Sequence, residues 1–255
     1  MYILLRMIPA ISFQNITRSF RDHFWTRKKT VIRDISLEIQ PGEVFGFLGP
    51  NGAGKTTTIK IITGLIRPDS GHAAVFGAAA GTMAAKEKIG FLPEAPYFYD
   101  YLTGDEFLKI HARLTGVQDI TRRVDELFSK VDLQNARKQR LSMYSRGMLQ
   151  RIGIAQALLG DPEVLVLDEP LSGLDPIGRK EIKDIILQEK TKGTTIFFSS
   201  HILPDAEAIC DRVGIIISGE ILETGDLDTL LKKGIEADRM TLEDWFYRQI
   251  KDRQK

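Results

Sequence analysis

A glycine-rich segment followed by lysine and threonine is the part of this 255-residue sequence best suited to phosphate chemistry. It matches the pattern G-x-x-x-x-G-K-[ST] over Gly49, Pro50, Asn51, Gly52, Ala53, Gly54, Lys55 and Thr56. Glycines permit backbone torsions that point successive N–H groups at phosphate oxygens. In such a loop the lysine reaches the β- and γ-phosphates and the Thr56 hydroxyl ligates Mg²⁺. We therefore expect a phosphate-binding loop here, continued by Thr57 in the following helix.

Two consecutive carboxylates, Asp168 and Glu169, follow the apolar run Val164–Leu167. A strand of this kind delivers its last residues to the carboxyl edge of a parallel sheet, where ligands bind. Asp168 could then hold Mg²⁺, directly or through water, and Glu169 could accept a proton from an attacking water. Taken alone, the segment fits a strand followed by an acidic turn equally well. Its occurrence after a phosphate-binding loop favours the catalytic interpretation.

Ser145 and Gly147 lie at the start of a helical pattern that continues to Leu159. A serine and a glycine at a helix start can present a hydroxyl and free N–H groups to an anion. On spacing alone, an ordinary N-cap followed by a core helix is the simpler interpretation.

The elements that must position these residues alternate between short apolar runs and helical patterns, as in α/β proteins with a parallel sheet. Such runs predict buried strands over Val44–Leu48, Val164–Leu167 and Thr195–Phe198. Helical spacing predicts helices over 56–63, 105–114, 120–131, 145–159 and 205–210, and a tail helix beginning near Thr241. Ser218-Gly219 predicts a two-residue hairpin turn, and Ala78, Ala79 and Ala80 are expected to form a loop.

Composition limits the classes of protein to which the chain can belong. With 43% hydrophobic and 27% charged residues it is expected to be globular. A net charge of +1 provides no long-range field for attracting nucleic acid, so we predict no nucleic-acid partner. The single cysteine, Cys210, and the lack of a long apolar segment predict a chain in a reducing, intracellular compartment without a membrane span.

The order of these motifs resembles the nucleotide-binding domain of ATP-binding cassette (ABC) transporters. The resemblance rests on the phosphate-binding loop, the helical stretch, Ser145-x-Gly147, Asp168-Glu169, Ser172–Asp175 and Ser200-His201, and it covers about residues 9–225. It implies an α/β P-loop NTPase core of RecA-like type, with a mainly parallel sheet, an antiparallel β part and an inserted helical subdomain. The expected division is a core of 9–93 and 161–230, a helical subdomain of 94–160 and a tail helix of 231–255.

The same resemblance implies a dimer of ATPase domains, homodimeric or heterodimeric, that encloses two ATP molecules with Mg²⁺. Each ATP would lie between the phosphate-binding loop of one protomer and Ser145 and Gly147 of the other. Glu169 would be the catalytic base, and Lys55 and His201 would contact the γ-phosphate. The ATPase dimer would lie at the cytoplasmic face of the membrane and drive a separate integral membrane subunit.

One departure from the family pattern concerns Glu94, which stands where the family usually has a glutamine that senses Mg²⁺. Glutamate keeps an oxygen ligand but adds negative charge and cannot donate a hydrogen bond. Tyr144–Met148 stands where the family carries its Leu-Ser-Gly-Gly-Gln signature and keeps only Ser145 and Gly147 of it. In both Glu94 and this variant signature the chain resembles the single-cassette ATPases of drug and antibiotic exporters. For adenine stacking, Phe20 is the first candidate and Trp25 the second.

Alternatives remain at this stage. The aromatic segment Pro96–Leu102 fits either a socket for a membrane partner or internal packing between core and helical insert. An ABC ATPase of translation or DNA repair, without a membrane partner, is the second functional class. A P-loop kinase or GTPase is the third, but it gives no reason for Ser145-x-Gly147 or Ser200-His201.

Overall fold

A computed structural model describes residues 8–21, 28–227 and 229. Within these ranges, ten strands form two sheets: β1 Ile11–Phe20, β2 Lys29–Ile39, β3 Val44–Leu48, β4 Ser70–Val75, β5 Ala78–Ala79, β6 Ile89–Leu92, β7 Val164–Leu167, β8 Thr195–Ser200, β9 Arg212–Ile217 and β10 Glu220–Asp226. The described residues also form seven α-helices: α1 Lys55–Ile62, α2 Met83–Lys86, α3 Gly104–Leu114, α4 Ile120–Lys130, α5 Arg146–Ala157, α6 Pro176–Thr191 and α7 Leu203–Glu207.

The larger sheet has six strands in the order β10-β9-β3-β8-β7-β6. Its neighbours pair in parallel except β10, which pairs antiparallel with β9. Every residue of β3, β7 and β8 is buried, because helices or the second sheet cover both faces of the centre. The carboxyl ends of β3, β7 and β8 therefore meet at one edge of the sheet.

The smaller sheet is antiparallel, with strand order β2-β1-β4-β5. It packs on one face of the larger sheet through a buried apolar cluster that includes residues of β1, β2, β3 and α1. At its centre the Phe197 ring lies 6.2 Å from that of Phe13 and 5.6 Å from that of Phe47. The two sheets thus share one core, and α1 belongs to it.

Three helices, α3, α4 and α5, lie between β6 and β7 and pack together on the other face of the larger sheet. A capping box starts α3: Glu106 N–H donates to the Thr103 hydroxyl, and the Glu106 carboxylate accepts from the Thr103 N–H. Tyr144 is buried and its hydroxyl donates to the Ala136 carbonyl at 2.9 Å. This aromatic residue of the signature segment is therefore part of the helical core.

The predicted α/β fold, its three strands and its helical insert are confirmed, with local corrections. The helix predicted over 205–210 is α7, which begins at Leu203 because Pro204 suits a first helical turn and which ends at Glu207. Ala78 and Ala79 form a short strand against β4, so the loop prediction is wrong there. The hairpin turn is confirmed, with φ of 51° at Ser218 and 86° at Gly219. The tail helix and Trp25 lie outside the described residues.

Candidate functional site

The phosphate-binding loop connects the end of β3 to the start of α1, as the sequence predicts. Two glycines are required by geometry. A Cβ on Gly49 would lie 2.4 Å from the Ile216 carbonyl oxygen, and Gly54 has a φ of 114°, which other residues rarely adopt. The loop therefore wraps closely against β9, and the N-terminus of α1 faces the edge where β3 ends.

Lys55 is buried at the first position of α1, with 6% of its surface exposed. Its ammonium donates to the carbonyls of Gly49 at 2.7 Å and Pro50 at 3.2 Å. It also lies 3.2 Å from Glu169 Oε1, an ion pair without hydrogen-bond geometry. The lysine thus brings positive charge to both the loop and the acidic residue that follows β7.

Glu169 turns away from the direction of β7 through a left-handed backbone with a φ of 50°. Its Oε2 lies 2.9 Å from Nδ1 of His201, which follows β8 and whose side chain is 38% exposed. Its Oε1 is buried and has no hydrogen-bond partner among the residues that the structure describes. A buried carboxylate oxygen without a donor, close to a lysine, is well suited to take a proton from a bound water.

Asp168 directly follows β7 and is 1% exposed. Its Oδ1 accepts hydrogen bonds from the hydroxyls of Ser199 at 2.7 Å and Thr56 at 3.3 Å. Burial raises the pKa of the Asp168 carboxyl above its ordinary value, whereas these hydrogen bonds lower it. A buried carboxylate that pays this desolvation penalty points to a role other than stability.

Thr56 and Asp168 fit a magnesium ion, because hydroxyl and carboxylate oxygens are the ligands that it prefers. Magnesium is commonly held by one or two carboxylates together with substrate phosphates and water. The described part of the chain contains no cluster of three His, Cys, Asp or Glu side chains that could hold a metal. Nucleotide phosphates and water would complete the coordination of an ion held by Thr56 and Asp168.

Replacing Asp168 by asparagine is expected to raise the thermal midpoint of the nucleotide-free protein at pH 7. The raised pKa means that the folded state disfavours the ionised carboxyl, so this group favours unfolding once the pH exceeds its ordinary pKa. Differential scanning fluorimetry without Mg²⁺ measures the effect. The gain should shrink as the pH falls toward the ordinary pKa, and Asp184→Asn, at an exposed site in α6, serves as control. A lower midpoint for Asp168→Asn would contradict this interpretation.

Ser145 and Gly147 stand at the start of α5, where Ser145 is the N-cap and accepts from the Met148 N–H at 3.3 Å. A Cβ on Gly147 would meet no atom of the described residues within 4 Å, so this end of the helix is open toward them. Between residues 28 and 227, no hydrogen bond or ion pair joins Ser145 or Gly147 to Lys55, Asp168 or Glu169. The structure does not bring the signature and the phosphate-binding loop of one chain together.

Two further candidates, Glu94 and Phe20, form no hydrogen bond or ion pair with Lys55, Asp168 or Glu169 within the described residues. Glu94 follows β6, is exposed, and has no ion pair with another described residue. Phe20 is the last residue of β1, and the Arg18 guanidinium lies 4.8 Å from its ring centre. The structure places Glu94 beyond the same sheet edge as Asp168, since the Asp168 N–H donates to the Leu92 carbonyl.

Ser199 is a site residue that the sequence analysis missed. The predicted strand stopped at Phe198, but β8 continues through Ser199 and Ser200. Two polar residues at the carboxyl end of a buried strand were the available signal, because that is where ligands bind in parallel sheets. The contact between Ser199 and Asp168, which follows the neighbouring strand β7, is visible only in the structure.

Comparison with known proteins agrees with the motif order. Residues 32–172 match the family model described as ABC transporter. An ABC transporter ATP-binding protein of Nostoc sp. is 47% identical over 227 residues, which cover 87% of this chain and 68% of that protein. The bacitracin transport ATP-binding protein BcrA of Bacillus licheniformis is 44% identical over 202 residues, covering 78% of this chain and 66% of BcrA. The chain thus spans about two thirds of the length of these relatives.

The solved structures show the same fold. An ATP-binding subunit of an ABC transporter superposes with a TM-score of 0.81 and 28% identity, covering 95% of this chain and 99% of the other. The dimeric cassette MJ0796 bound to ADP and Pi gives a TM-score of 0.77 at 21% identity, covering 85% and 98%. Because the family model covers more than half of the sequence and the fold agrees, the chain belongs to the ABC transporter family and is one of its ATP-binding proteins.

Proposed function

We propose that this chain is a Mg²⁺-dependent ATPase that powers export through a separate integral membrane subunit. The observation that carries the proposal is the position of Glu169, whose carboxylate lies between Lys55 and His201 and directly after Asp168. A base, a phosphate-binding lysine and a metal-binding carboxylate are the parts that phosphoryl transfer to water requires.

In the proposed reaction, the N–H groups of the phosphate-binding loop and Lys55 hold the β- and γ-phosphates of ATP. Glu169 Oε1 takes a proton from water as the water oxygen attacks the γ-phosphorus, and ADP leaves. Lys55 and His201 stabilise the negative charge on the transferring phosphoryl group. Thr56 and Asp168 would hold Mg²⁺, which supplies further charge neutralisation at the phosphate oxygens when bound.

The active form is proposed to be a dimer of two ATPase domains, with a second copy of this chain as the simplest partner. Ser145 and Gly147 are open and do not contact the phosphate-binding loop of their own chain. In the dimer they would bind the γ-phosphate held by the partner protomer, with the N-terminus of α5 directed at it.

Export is proposed from two relatives, described as the bacitracin transport protein BcrA and a linearmycin resistance ATP-binding protein, LnrL. Among the helices that the structure describes, none has the length and apolar character of a membrane span. In this proposal a separate membrane subunit carries the substrate, and the ATPase lies at the cytoplasmic face of the membrane. We propose that residues 94–160 form the helical subdomain and that it moves with the membrane partner.

The membrane subunit is proposed to dock on the aromatic segment between β6 and α3. Tyr97, Tyr99 and Tyr101 are 84%, 47% and 69% exposed. The Tyr99 ring meets that of Tyr97 edge-on at 5.8 Å and that of Tyr101 at a tilt at 5.9 Å, measured between ring centres. Phe98 between them is buried against Phe107 of α3, with ring centres 5.3 Å apart. Internal packing thus uses Phe98 and leaves three tyrosines for a partner, and tyrosine is enriched at protein interfaces.

Copurification tests the transport proposal. An affinity-tagged chain, solubilised with detergent from the membranes of its own cells, should retain one integral membrane protein, identified by mass spectrometry. The double change Tyr97→Ala, Tyr101→Ala should reduce that recovery by roughly tenfold or more, as loss of aromatic interface anchors does, without changing basal ATP hydrolysis. Leu114→Ala, at another exposed apolar side chain, is the matched control. Recovery of no membrane protein would instead favour a soluble ABC ATPase.

A further inference from the structure

Ser199 joins the two acidic residues that the proposed reaction uses. It lies one position past the last pair of the β7–β8 ladder, in which Leu167 is opposite Phe198, and it is completely buried. This register places Ser199 beside Asp168. A hydroxyl this deeply buried is costly unless it is hydrogen-bonded, and here both its donor and an acceptor position are used.

The direction of both hydrogen bonds is determined by their partners. The backbone N–H of Glu169 can only donate, and it does so to Ser199 Oγ at 2.9 Å. The one hydroxyl proton is then directed to Asp168 Oδ1 at 2.7 Å. The three groups form a short chain, from the Glu169 amide through the serine hydroxyl to the Asp168 carboxylate.

We propose that Ser199 is a positioning residue that orients Asp168 and Glu169 for ATP hydrolysis, an inference that rests on the proposed function. Its hydroxyl fixes the Asp168 carboxylate oxygen that also accepts from Thr56. It also holds the amide of Glu169 in the left-handed turn that directs the Glu169 side chain to Lys55 and His201. Ser199 touches neither nucleotide phosphates nor water in this scheme.

Loss of the hydroxyl would act on catalysis more than on nucleotide binding. Groups that orient metal-binding carboxylates commonly contribute 10- to 100-fold to activity or metal affinity. Small displacements of a reacting group have effects of about the same size. The phosphate-binding loop, by contrast, makes no hydrogen bond with Ser199.

The test compares three variants with the wild type. Ser199→Ala removes the hydroxyl, and Ser199→Thr and Ser199→Val form a matched pair, because threonine and valine side chains have similar volume but only threonine carries a hydroxyl. We expect Ser199→Ala to lower kcat by about 10- to 100-fold and to leave the Kd for ATP, measured without Mg²⁺, within about twofold. Ser199→Thr should hydrolyse ATP roughly tenfold faster than Ser199→Val. Hydrogen exchange of the Glu169 amide in the ligand-free protein should be faster in the alanine and valine variants than in the threonine variant.

Several results would overturn the inference. These are a wild-type kcat in Ser199→Ala, a loss of ATP affinity equal to the loss of kcat, or equal rates for the threonine and valine variants. Unchanged exchange of the Glu169 amide in Ser199→Ala would show that the contact is unimportant. If the wild-type chain does not hydrolyse ATP, the proposed function fails and the role of Ser199 fails with it. Normal wild-type hydrolysis with no effect of the variants removes the Ser199 inference alone.

Discussion

Replacing Glu169 by glutamine is expected to lower the rate of ATP hydrolysis by about 10²- to 10⁴-fold while ATP binding is retained. Glutamine has nearly the same shape but cannot accept a proton from water at Oε1. The loss of negative charge beside Lys55 leaves the lysine more available to the phosphates, so affinity for ATP should not fall. Steady-state phosphate release and equilibrium binding of ATP measure the two effects separately.

The matched control is Glu163→Gln, just before β7, where an exposed glutamate forms a surface ion pair with Lys88. Such exposed pairs contribute little, so its hydrolysis rate should equal that of the wild type. With Mg²⁺ and ATP, the Glu169→Gln protein should elute from gel filtration as a dimer, because bound ATP is not consumed. Full turnover by Glu169→Gln would remove Glu169 from the role of base.

Replacing Lys55 by alanine should weaken both ATP binding and hydrolysis. Hydrogen bonds to charged groups are worth about 1.5–3 kcal/mol, so the Kd for ATP should rise by roughly 10- to 100-fold. At saturating ATP, the rate should still be lower by about 10²- to 10³-fold, because the lysine stabilises charge that develops in the transition state. Titration with a fluorescent ATP analogue and phosphate release at saturation measure these two quantities.

Lys60→Ala is the control for Lys55, since Lys60 is exposed in the same helix and forms no ion pair among the described residues. It should leave both quantities unchanged. Glu169→Gln and Lys55→Ala thereby separate the two roles: the first change should affect hydrolysis alone, and the second should affect affinity as well. Wild-type affinity for ATP in Lys55→Ala would contradict the position assigned to the phosphates.

The sequence predicted the central sheet well because its strands are buried on both faces. Val44–Leu48 and Val164–Leu167 are continuous apolar runs, and such runs need no knowledge of their neighbours to be identified. The strand β4 could not be located in this way. Its residues, Ser70–Val75, are small or polar and alternate only partly in burial, so its position depends on pairing with β1.

The candidate site likewise has one part that the sequence predicts and one part that it does not. The phosphate-binding loop is local, since the segment between Gly49 and Thr56 is contiguous in the chain and its geometry follows from its residue types. The contact of Ser199 with Asp168 joins residues 31 positions apart, and that of Lys55 with Glu169 depends on the order of β3, β8 and β7. Sequence spacing cannot show such contacts, because the register between parallel strands creates them.

Mixing two inactive variants tests the central claim, that ATP is hydrolysed between two copies of this chain. Glu169→Gln removes the base, and Gly147→Asp places negative charge at an open position of the signature. In a mixed dimer, the loop of the Gly147→Asp chain faces the intact signature of the Glu169→Gln chain. Equal amounts should therefore recover hydrolysis toward about a quarter of the wild-type rate, since half of the dimers are mixed and each has one intact site. A rate no higher than the average of the two separate variants would contradict the claim.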